Sequence, residues 1–205
     1  MPDPADEKAT ARSRFVNNRR ALGNQERASQ ARAATLRLLA EPALTSADAV
    51  AAYWPMGTEP DTRPLIRTLL ERGIRVLLPK LLDDRDLDWI GYSGDPAVLA
   101  EGGAGTRHPQ GTTLGVDAVL RAQAMIVPAL AVTAEGVRIG RGGGSYDRVL
   151  ARIAAASVAG GPVPWTCALL YEGELGTLAE AAVEPHDRAV DAACTASRTI
   201  AFHRL

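Results

Sequence analysis

Glycines and charged residues are interleaved in one segment, residues 137–148, which read VRIGRGGGSYDR. Glycine lets a backbone approach a ligand closely, and the free amides at the start of a helix bind anions. Arg138 and Arg141 add cations that pair with phosphate or carboxylate groups, and Asp147 could hold a magnesium ion that bridges phosphates. The segment therefore predicts an anion-binding loop.

Two familiar phosphate-binding motifs do not account for this loop. A dinucleotide-binding fingerprint needs glycine where Ser145 stands, and no Gly-x-x-x-x-Gly-Lys-Ser/Thr sequence occurs in the chain. A flexible turn would use the same glycines. Four glycines together with two arginines and an aspartate nevertheless favour an anion site.

A second set of candidate residues lies near the beginning of the chain. Residues 6–22 predict a helix that ends at Gly23, and Lys8, Arg12 and Arg19 fall within about 40° of one another around it. An adjacent apolar stripe that can pack on a core is formed by Ala11, Phe15 and Leu22. Taken alone, the basic stripe is better interpreted as a solvated face; the alternative is a row of cations that faces a cleft.

The elements that position these residues follow from four short apolar runs. Each run is bounded by Gly, Pro or polar residues, as buried strands are: residues 49–54, 74–79, 125–132 and 166–170. Between the first two runs, residues 61–70 predict a helix with an early proline and a terminal Gly73. Strands that alternate with helices predict an α/β fold with a doubly wound, mainly parallel sheet flanked by helices. We expect the basic N-terminal helix to pack on its core.

Smaller features complete the predicted architecture. The glycine-rich loop opens a helix, because apolar residues keep helical spacing from Tyr146 onward. Asn24 predicts the cap of a second helix over residues 25–40, and residues 86–92 predict an extended edge strand. Residues 93–116 are rich in glycine and threonine, which predicts a long surface segment.

The composition is that of an ordinary globular protein, and we expect a single domain over residues 1–205. Hydrophobic residues make up 46% and charged residues 23% of the chain. No apolar run reaches the length of about 18 residues that a membrane span needs, and the acidic first residues predict no secretory signal. Cys167 and Cys194 are too isolated for a disulfide framework, so we expect a reduced, cytoplasmic setting.

The charge is distributed unevenly. The net charge is −1, which argues against bulk binding to nucleic acid or to an anionic membrane. Residues 1–40 nevertheless hold eight basic and four acidic residues, whereas the rest of the chain is acidic overall. Lysine occurs only at Lys8 and Lys80. The positive end of the chain therefore needs an explanation of its own.

Several segments together resemble the 5-formyltetrahydrofolate cyclo-ligase family, also called methenyltetrahydrofolate synthetase. Residues 128–131 (PALA), followed by residues 136–148, are similar to the signature of that family. Three further matches occur in the family's order over nearly the whole chain: Lys8-x-x-x-Arg12 followed by Arg19 and Leu22; Tyr53-Trp54-Pro55 followed by Glu59-Pro60-Asp61-Thr62; and His186-Asp187 followed by Val190-Asp191.

The resemblance implies an ATP-dependent and Mg2+-dependent ring closure. The family converts 5-formyltetrahydrofolate to 5,10-methenyltetrahydrofolate and releases ADP and phosphate. A formamide oxygen is a poor leaving group, and transfer of the γ-phosphoryl group to it would give an activated imidate phosphate, which the second folate nitrogen then attacks. Such chemistry asks the protein mainly for positioning and for charge neutralisation. The substrate would be a small molecule, in some cases polyglutamylated, and we expect the enzyme to be a monomer.

The resemblance also implies roles for individual residues. The nucleotide would contact Lys8, Arg12, Arg138, Ile139, Gly140, Arg141, Gly142, Gly143, Gly144, Ser145 and Tyr146. The folate would contact Trp54 and Glu59 and also the middle of the loop, Arg141, Gly142, Gly143, Gly144 and Ser145. Asp147 and Asp187 would hold the magnesium ion. Lys8 and Arg141 would be catalytic, with Arg141 stabilising charge on the transferring phosphoryl group.

The sequence departs from the family pattern at four positions. Ser145 stands where the family usually has an aromatic residue, so a stacking contact is either missing or supplied elsewhere. Ala11 replaces a usual leucine, and Val132 a common phenylalanine. His108-Pro109 stands where Glu-Pro is usual. None of these changes removes a charged group that the proposed chemistry needs.

Other candidate sites are better interpreted as structural. The three histidines, His108, His186 and His203, lack metal-ligand spacing. The carboxylates around Arg85 predict a solvated turn rather than a metal site: Asp83, Asp84, Asp86 and Asp88. Cys167 lies in an apolar run with no base near it in sequence, which favours packing over nucleophilic chemistry.

Two alternatives from other classes stay open. Another α/β enzyme that binds a phosphorylated small molecule, such as a sugar-phosphate isomerase, would use the same loop without ATP and would not need Lys8 or Arg12. A nucleic-acid-binding or regulatory protein would use the basic N-terminal helix, and its binding would depend steeply on salt.

Overall fold

The computed structural model describes residues 4–176 and 187–202, so His186 and His203 lie outside the described residues. The α-helices of this part of the chain are α1 (Pro4–Ala21), α2 (Asn24–Leu38), α3 (Pro42–Thr45), α4 (Arg63–Glu71) and α5 (Ser145–Val158). Short 3-10 helices occur at Pro96–Val98, Gly103–Gly105 and Val116–Arg121. The strands are β1 (Ala49–Ala51), β2 (Arg75–Leu81), β3 (Leu87–Tyr92), β4 (Leu99–Glu101), β5 (Arg107–Pro109), β6 (Ala124–Pro128), β7 (Ala131–Val132), β8 (Arg138–Ile139), β9 (Trp165–Leu169), β10 (Ala192–Cys194) and β11 (Thr199–Ala201).

The central sheet has seven strands in the order β11-β10-β9-β6-β1-β2-β3. The five inner strands are parallel, and Val50 in β1 pairs with Val76 on one side and Ala124 on the other. The edge strands β3 and β11 run antiparallel to their neighbours. The predicted fold, a mainly parallel sheet flanked by helices with an extended edge strand, is confirmed.

Both faces of the sheet are covered, because neighbouring residues of a strand point to opposite sides. On one face, Val50 belongs to a buried cluster with residues of α2 and α4. On the other face, Ala51 belongs to a cluster with residues of α5 and of the 3-10 helix at Val116–Arg121. Strands buried on both sides need apolar residues throughout, which is why they appear as continuous apolar runs in the sequence.

After β1 and after β6, the chain turns to opposite faces of the sheet. After β1 it returns through α4 to β2, and after β6 it returns through α5, on the other face, to β9. The loops that follow β1 and β6 therefore diverge above the carboxyl ends of two adjacent strands. Open α/β sheets bind their ligands in the crevice that such a divergence leaves.

Helix α1 lies against this crevice region. Its residues Ala11 and Phe15 are buried together with Leu130, Ala131 and Ile139. The predicted packing of a basic N-terminal helix on the core is confirmed, and its apolar stripe makes the contact.

Two local predictions are wrong in detail. Asn24 is the first residue of α2 rather than its cap, and Gly23 occupies the N-cap without a side-chain hydrogen bond. The apolar run 125–132 is not one strand: β6 ends at Pro128, and Ala131 and Val132 then pair with β8. Residues 93–116 lie mostly on the surface, as predicted, but they also contain the antiparallel hairpin of β4 and β5, which was not predicted.

Strands β10 and β11 were also missed by the sequence interpretation, because three-residue strands are too short for a periodic pattern. Within the part of the chain that the structure describes, no helix combines the length and the apolar character needed to cross a bilayer. The single-domain assignment over residues 1–205 stays a prediction.

Candidate active site

A cavity of about 400 Å³ lies in the crevice described above. Its wall is formed by the loop after β1, the ends of β2 and β6, the β4–β5 hairpin, the end of α1, and the glycine-rich loop with the first turn of α5. Residues implicated by the sequence supply much of this wall: Trp54, Glu59, Arg138, Gly140, Arg141, Gly142, Gly143, Gly144, Ser145, Tyr146 and Asp147. The structure therefore brings most of the predicted nucleotide and folate residues together.

The glycine-rich loop takes a conformation that only glycine adopts easily. Gly142 has φ +97° and Gly144 has φ +74°, both in the left-handed region. Gly144 is the N-cap of α5, so the helix begins at Ser145 directly beside the cavity. The start of a helix that faces a cavity is suited to an anion, as the sequence predicts.

Arg138 and Asp147 form an ion pair at this wall. Arg138 Nη2 donates to Asp147 Oδ1 at 2.6 Å, and Arg138 Nη1 donates to the carbonyl of Pro128 at 3.2 Å. The guanidinium lies 5.7 Å from the ring centre of Tyr146. Arg138 Nε is buried and has no hydrogen-bond partner among residues 4–176 and 187–202. A buried donor without a partner at a cavity wall fits a site that receives an acceptor from a ligand.

The basic stripe of α1 is not a solvated face. Lys8 is 1% exposed, and its Nζ lies 2.6 Å from both carboxylate oxygens of Asp187. Arg12 Nε donates to the carbonyl of Gly140 at 3.0 Å, inside the glycine-rich loop. Arg19 is also 1% exposed and pairs with Glu174. All three cations of the stripe therefore point into the protein.

The loop after β1 is held in a fixed shape. The hydroxyl of Tyr53 donates to the carbonyl of Pro60 at 2.9 Å, and the hydroxyl of Thr62 donates to the carbonyl of Tyr53 at 2.6 Å. Trp54 packs edge-on against Tyr92, with ring centres 5.7 Å apart. An aromatic wall therefore forms one side of the cavity.

Glu59 is the acidic residue of the same loop that lines the cavity, and its side chain is 8% exposed. It accepts a hydrogen bond from the backbone of Met56 at 2.9 Å, and Arg141 Nε lies 3.5 Å from its Oε1. Burial raises the pKa of Glu59, while the Met56 amide, Arg141 and Arg19 act in the opposite direction. Burial and the charge of Glu59 likewise raise the pKa of Tyr146.

Arg141 differs from the other cations of the site, because 43% of its side chain is exposed. Its contact with Glu59 is long for an ion pair, and the guanidinium lies close to Gly57 as well. A side chain with this freedom can move toward a ligand at little cost. It also joins the predicted nucleotide loop to the predicted folate residue.

Some predicted residues do not line the cavity. The side chain of Ile139 is fully buried in the cluster under α1, so only its backbone is available to a ligand. Lys8, Arg12 and Asp187 lie outside the cavity wall; Arg12 nevertheless stands about 3.5 Å from the position that a side chain at Gly142 would take. Arg12 therefore contacts the glycine-rich loop from outside the cavity wall.

Sequence interpretation missed several wall residues. Tyr53, Met56, Thr106 and Arg107 line the cavity, as does Arg19, which the sequence placed on the basic stripe and in the family pattern without a ligand contact. The position of Tyr53 directly before Trp54 was a usable signal. Thr106 and Arg107 could not be recognised, because they reach the site through a hairpin that the sequence did not predict.

The carboxylates present fit a metal that arrives with a phosphate ligand. Among the described residues, no group of three or more His, Cys, Asp or Glu side chains is placed to hold a metal by itself. Mg2+ commonly takes one or two protein carboxylates and completes its shell with phosphates and water. Asp147 lines the cavity and is suited to that role. Asp187 is held by Lys8 instead.

The carboxylates around Arg85 lie in a turn, as the sequence predicts, although Asp86 is ion-paired rather than solvated. Arg85 has φ +66° in a tight turn, and Asp84 accepts a hydrogen bond from the backbone of Asp86 there. Asp86 itself pairs with Arg152 at 2.6 Å. Cys167 is fully buried, and burial raises the pKa of its thiol well above the usual range.

Comparison with known proteins gives one consistent result. The family model described as the 5-formyltetrahydrofolate cyclo-ligase family matches residues 4–196. The chain is 36% identical over 198 residues to the 5-formyltetrahydrofolate cyclo-ligase of Mycolicibacterium smegmatis, which covers 94% of this chain and 95% of the relative. It is 31% identical over 134 residues to the enzyme of the same name from Escherichia coli, covering 64% of this chain and 73% of the relative.

Solved structures share the fold. The NMR structure of Aquifex aeolicus 5,10-methenyltetrahydrofolate synthetase matches with a TM-score of 0.79 at 23% identity, over 97% of this chain and 94% of that one. A 5,10-methenyltetrahydrofolate synthetase from Mycoplasma pneumoniae matches with a TM-score of 0.70 at 18% identity, over 92% and 98%. At such identities these two matches establish the architecture alone.

Proposed function

The chain belongs to the 5-formyltetrahydrofolate cyclo-ligase family, and from that premise we propose how its residues carry out the family's reaction. The protein is a 5-formyltetrahydrofolate cyclo-ligase, a ligase of folate one-carbon metabolism, and the family implies that it uses ATP. The two alternatives, a sugar-phosphate isomerase and a nucleic-acid-binding protein, give way to this assignment.

The proposed chemistry begins at the formyl oxygen of the substrate. This oxygen attacks the γ-phosphorus of ATP, ADP leaves, and an imidate phosphate forms. The second folate nitrogen then attacks the formyl carbon and loses its proton, and the carbon–oxygen bond breaks with release of phosphate, which carries that proton away. The ring that results is 5,10-methenyltetrahydrofolate. The protein contributes by holding the reactants together and by neutralising charge.

The nucleotide side of the site consists of α1 and the glycine-rich loop. Arg12 already contacts the carbonyl of Gly140, and Arg138 has a buried donor without a partner among the described residues. We assign the phosphates of ATP to this region, with Lys8 and Arg12 as phosphate-binding cations behind the loop. The free amides at the start of α5 add to the attraction for an anion.

The magnesium ion belongs to the same side. Asp147 would hold it together with phosphate oxygens, and Asp187 is the second carboxylate proposed for it. When bound, the ion would supply positive charge that neutralises the phosphates. In the structure, Asp147 pairs with Arg138 and Asp187 pairs with Lys8.

The folate side consists of the loop after β1 and the aromatic wall. An acidic group can pair with the amidine-like donors of a pterin ring, and Glu59 is the acidic residue of the loop at that wall. Trp54 offers a flat surface for the ring system. Hydrogen bonds at Tyr53 and Thr62 hold the loop in place, so these contacts are preorganised.

One observation carries the assignment of the site: Arg141 Nε lies 3.5 Å from Glu59 Oε1. This contact supports the proposal, because it brings Glu59, the carboxylate proposed to bind the pterin ring, next to the loop proposed to bind ATP. Phosphoryl transfer needs ATP and folate to lie side by side, as this arrangement would hold them. Arg141 is therefore the cation we propose for stabilising the transition state.

Formation of the methenyltetrahydrofolate chromophore tests the proposed reaction. We expect absorbance to appear only when 5-formyltetrahydrofolate, ATP and Mg2+ are all present, and labelled oxygen in the formyl group to be recovered in phosphate. Label that stays in the folate or passes to water would contradict phosphoryl transfer to the formyl oxygen. The use of polyglutamylated substrate, the monomeric state and a cytoplasmic location stay predictions.

A further inference from the structure

Arg19 and Glu174 form an ion pair inside the protein. Arg19 lies in the last turn of α1, and Glu174 lies in the segment after β9. Arg19 Nε donates to Glu174 Oε1 and Arg19 Nη2 donates to Glu174 Oε2, each at 2.7 Å. The two residues are 1% and 4% exposed. None of the roles assigned above uses this pair, although Arg19 lines the cavity.

Stability is a weak explanation for the pair. Removing two charges from water costs about as much as their attraction returns, so a well-packed apolar pair would serve the fold equally well. Arg19 Nη1 is buried and has no hydrogen-bond partner in the described part of the chain, so the guanidinium is incompletely satisfied.

The pair connects α1 with the residue that follows β6 and with Tyr171. Arg19 Nη2 also donates to the carbonyl of Ala129, at the end of β6, at 2.5 Å. Glu174 accepts a hydrogen bond from the backbone of Tyr171 at 2.9 Å, and the Arg19 guanidinium lies 5.4 Å from the ring centre of Tyr171. The hydroxyl of Tyr171 in turn donates to the carbonyl of Glu59 at 3.3 Å. The pair is thus connected to the folate side of the cavity.

The same pair controls the nucleotide side through α1. Lys8 and Arg12 lie on the same stripe of the helix as Arg19, and Lys8 is about 16 Å away along the axis at roughly 1.5 Å per residue. A helix is stiff over this length. Any rotation or sliding at Arg19 therefore moves both phosphate-binding cations relative to the glycine-rich loop.

We propose that Arg19 and Glu174 are positioning residues of this enzyme. They fix the rotation and the axial position of α1 against the end of β6 and against Tyr171. The phosphate-binding cations on α1 and the carboxylate of Glu59 then stay aligned across the cavity. This inference rests on the nucleotide role proposed above for Lys8 and Arg12.

Removing both charges at once tests the role without leaving a buried charge behind. We expect Arg19→Met/Glu174→Met to fold and to melt close to the wild-type temperature, while kcat/KM falls about 10- to 100-fold through misalignment. Arg19→Lys should fall between, because one ammonium cannot replace a bidentate guanidinium. Wild-type kinetics in the folded double variant would overturn the proposal. If the double variant fails to fold, unchanged kinetics in Arg19→Lys would overturn it.

A mutant cycle on nucleotide binding separates positioning from a loss of stability. The Kd of ATP with Mg2+ is measured for Arg19→Met, Lys8→Met and the double variant. If Arg19 acts through Lys8, the double variant binds ATP little worse than Lys8→Met alone. If the two residues act independently, the losses of binding free energy in the two single variants add up in the double variant. Full additivity of these losses would overturn the inference.

Two further comparisons complete this experiment. If Lys8→Met itself binds ATP normally, the nucleotide role proposed for Lys8 is wrong, which differs from the additive result. Arg152→Met is the matched control: it breaks ion pairs with Asp86 at 2.6 Å and Asp117 at 3.0 Å, away from the cavity wall. Its ATP affinity should equal that of the wild type. If Arg152→Met instead lost as much ATP affinity as Arg19→Met, any broken ion pair would have the effect, and the inference would be overturned.

Discussion

Lys8 Nζ lies 2.6 Å from both carboxylate oxygens of Asp187, a residue 179 positions further along the chain. Arg138 Nη2 likewise lies 2.6 Å from Oδ1 of Asp147. Each carboxylate proposed for magnesium is thus paired with a cation proposed for phosphate. A magnesium–nucleotide complex would offer every one of these groups a partner of equal or higher charge.

Replacing Lys8 with Met should weaken ATP binding by about tenfold or more, because a phosphate loses a cation at a largely dry site. The substitution also leaves Asp187 without this partner, at a cost of about 3 kcal/mol in stability, so binding is measured where the variant is folded. Lys80→Met is the control, since Lys80 is the only other lysine and does not line the cavity.

The same two lysines allow a test on the unmutated protein. In protein produced with 13C-labelled lysine, the side-chain NMR signal of Lys8 should shift when ATP and Mg2+ are added, and that of Lys80 should stay in place. A shift at Lys80 alone would place the phosphates elsewhere.

ATP and Mg2+ should bind cooperatively, because each releases the partner that the other needs. We expect ATP to bind about tenfold more weakly when Mg2+ is removed, and Mg2+ to bind correspondingly more weakly without ATP. Asp147→Asn should reduce this coupling and should impair turnover far more than it lowers stability. Asp83→Asn, in an exposed turn, is the matched control. Isothermal titration of each ligand with and without the other measures the effect; equal affinities in the wild type would contradict it.

Glu59→Gln should weaken folate binding and stabilise the fold at neutral pH. Burial raises the pKa of Glu59 above its ordinary value of 4.5, so the charged form opposes folding. The neutral form of Glu59 makes its full contribution to stability below pH 4.5, and this contribution is lost as the pH rises through the higher pKa that Glu59 has in the folded protein. The variant should therefore unfold at a higher denaturant concentration than the wild type at pH 7, and the difference should vanish near pH 4. A difference that grows toward low pH would contradict the assignment.

Arg141→Ala should lower kcat by about 100-fold and raise the KM values less, because its charge is needed most in the transition state. With 43% of the side chain exposed, stability should change by no more than about 0.5 kcal/mol. Arg148→Ala is a suitable control, since Arg148 is exposed on the first turns of α5 and does not line the cavity. A larger effect on KM than on kcat would reassign Arg141 to ground-state binding.

The features of this site that could be predicted are those formed by residues close together along the chain. The glycine-rich loop was recognised because Gly142, Gly144 and their charged neighbours lie within one short segment, where conformational and electrostatic demands act on adjacent residues. The alternating strands and helices were recognised for the same reason. The boundary error at Asn24 is of the ordinary kind, because Gly23 can occupy an N-cap position without any side-chain signal.

The orientation of α1 could not be predicted from its own residues. Its basic stripe looks like a solvated face until Gly140, Glu174 and Asp187 are placed against it, and these residues are distant in sequence. The contact of Arg141 with Glu59 likewise depends on two loops from different strands. Pairings of this kind depend on tertiary packing, which the spacing of residues along the sequence does not reveal.

The attachments of α1 also determine the order in which the site can be assembled. Helix α1 is held by Ala129, Gly140, Glu174 and Asp187, all of which are synthesised much later than the helix itself. The nascent chain can form the β1–β2 pair before α1 has anything to dock on. In the finished protein, α1 is therefore a candidate for opening as a separate unit. Its amides should exchange with deuterium faster than those of β1 and β6, and bound ATP should slow that exchange selectively.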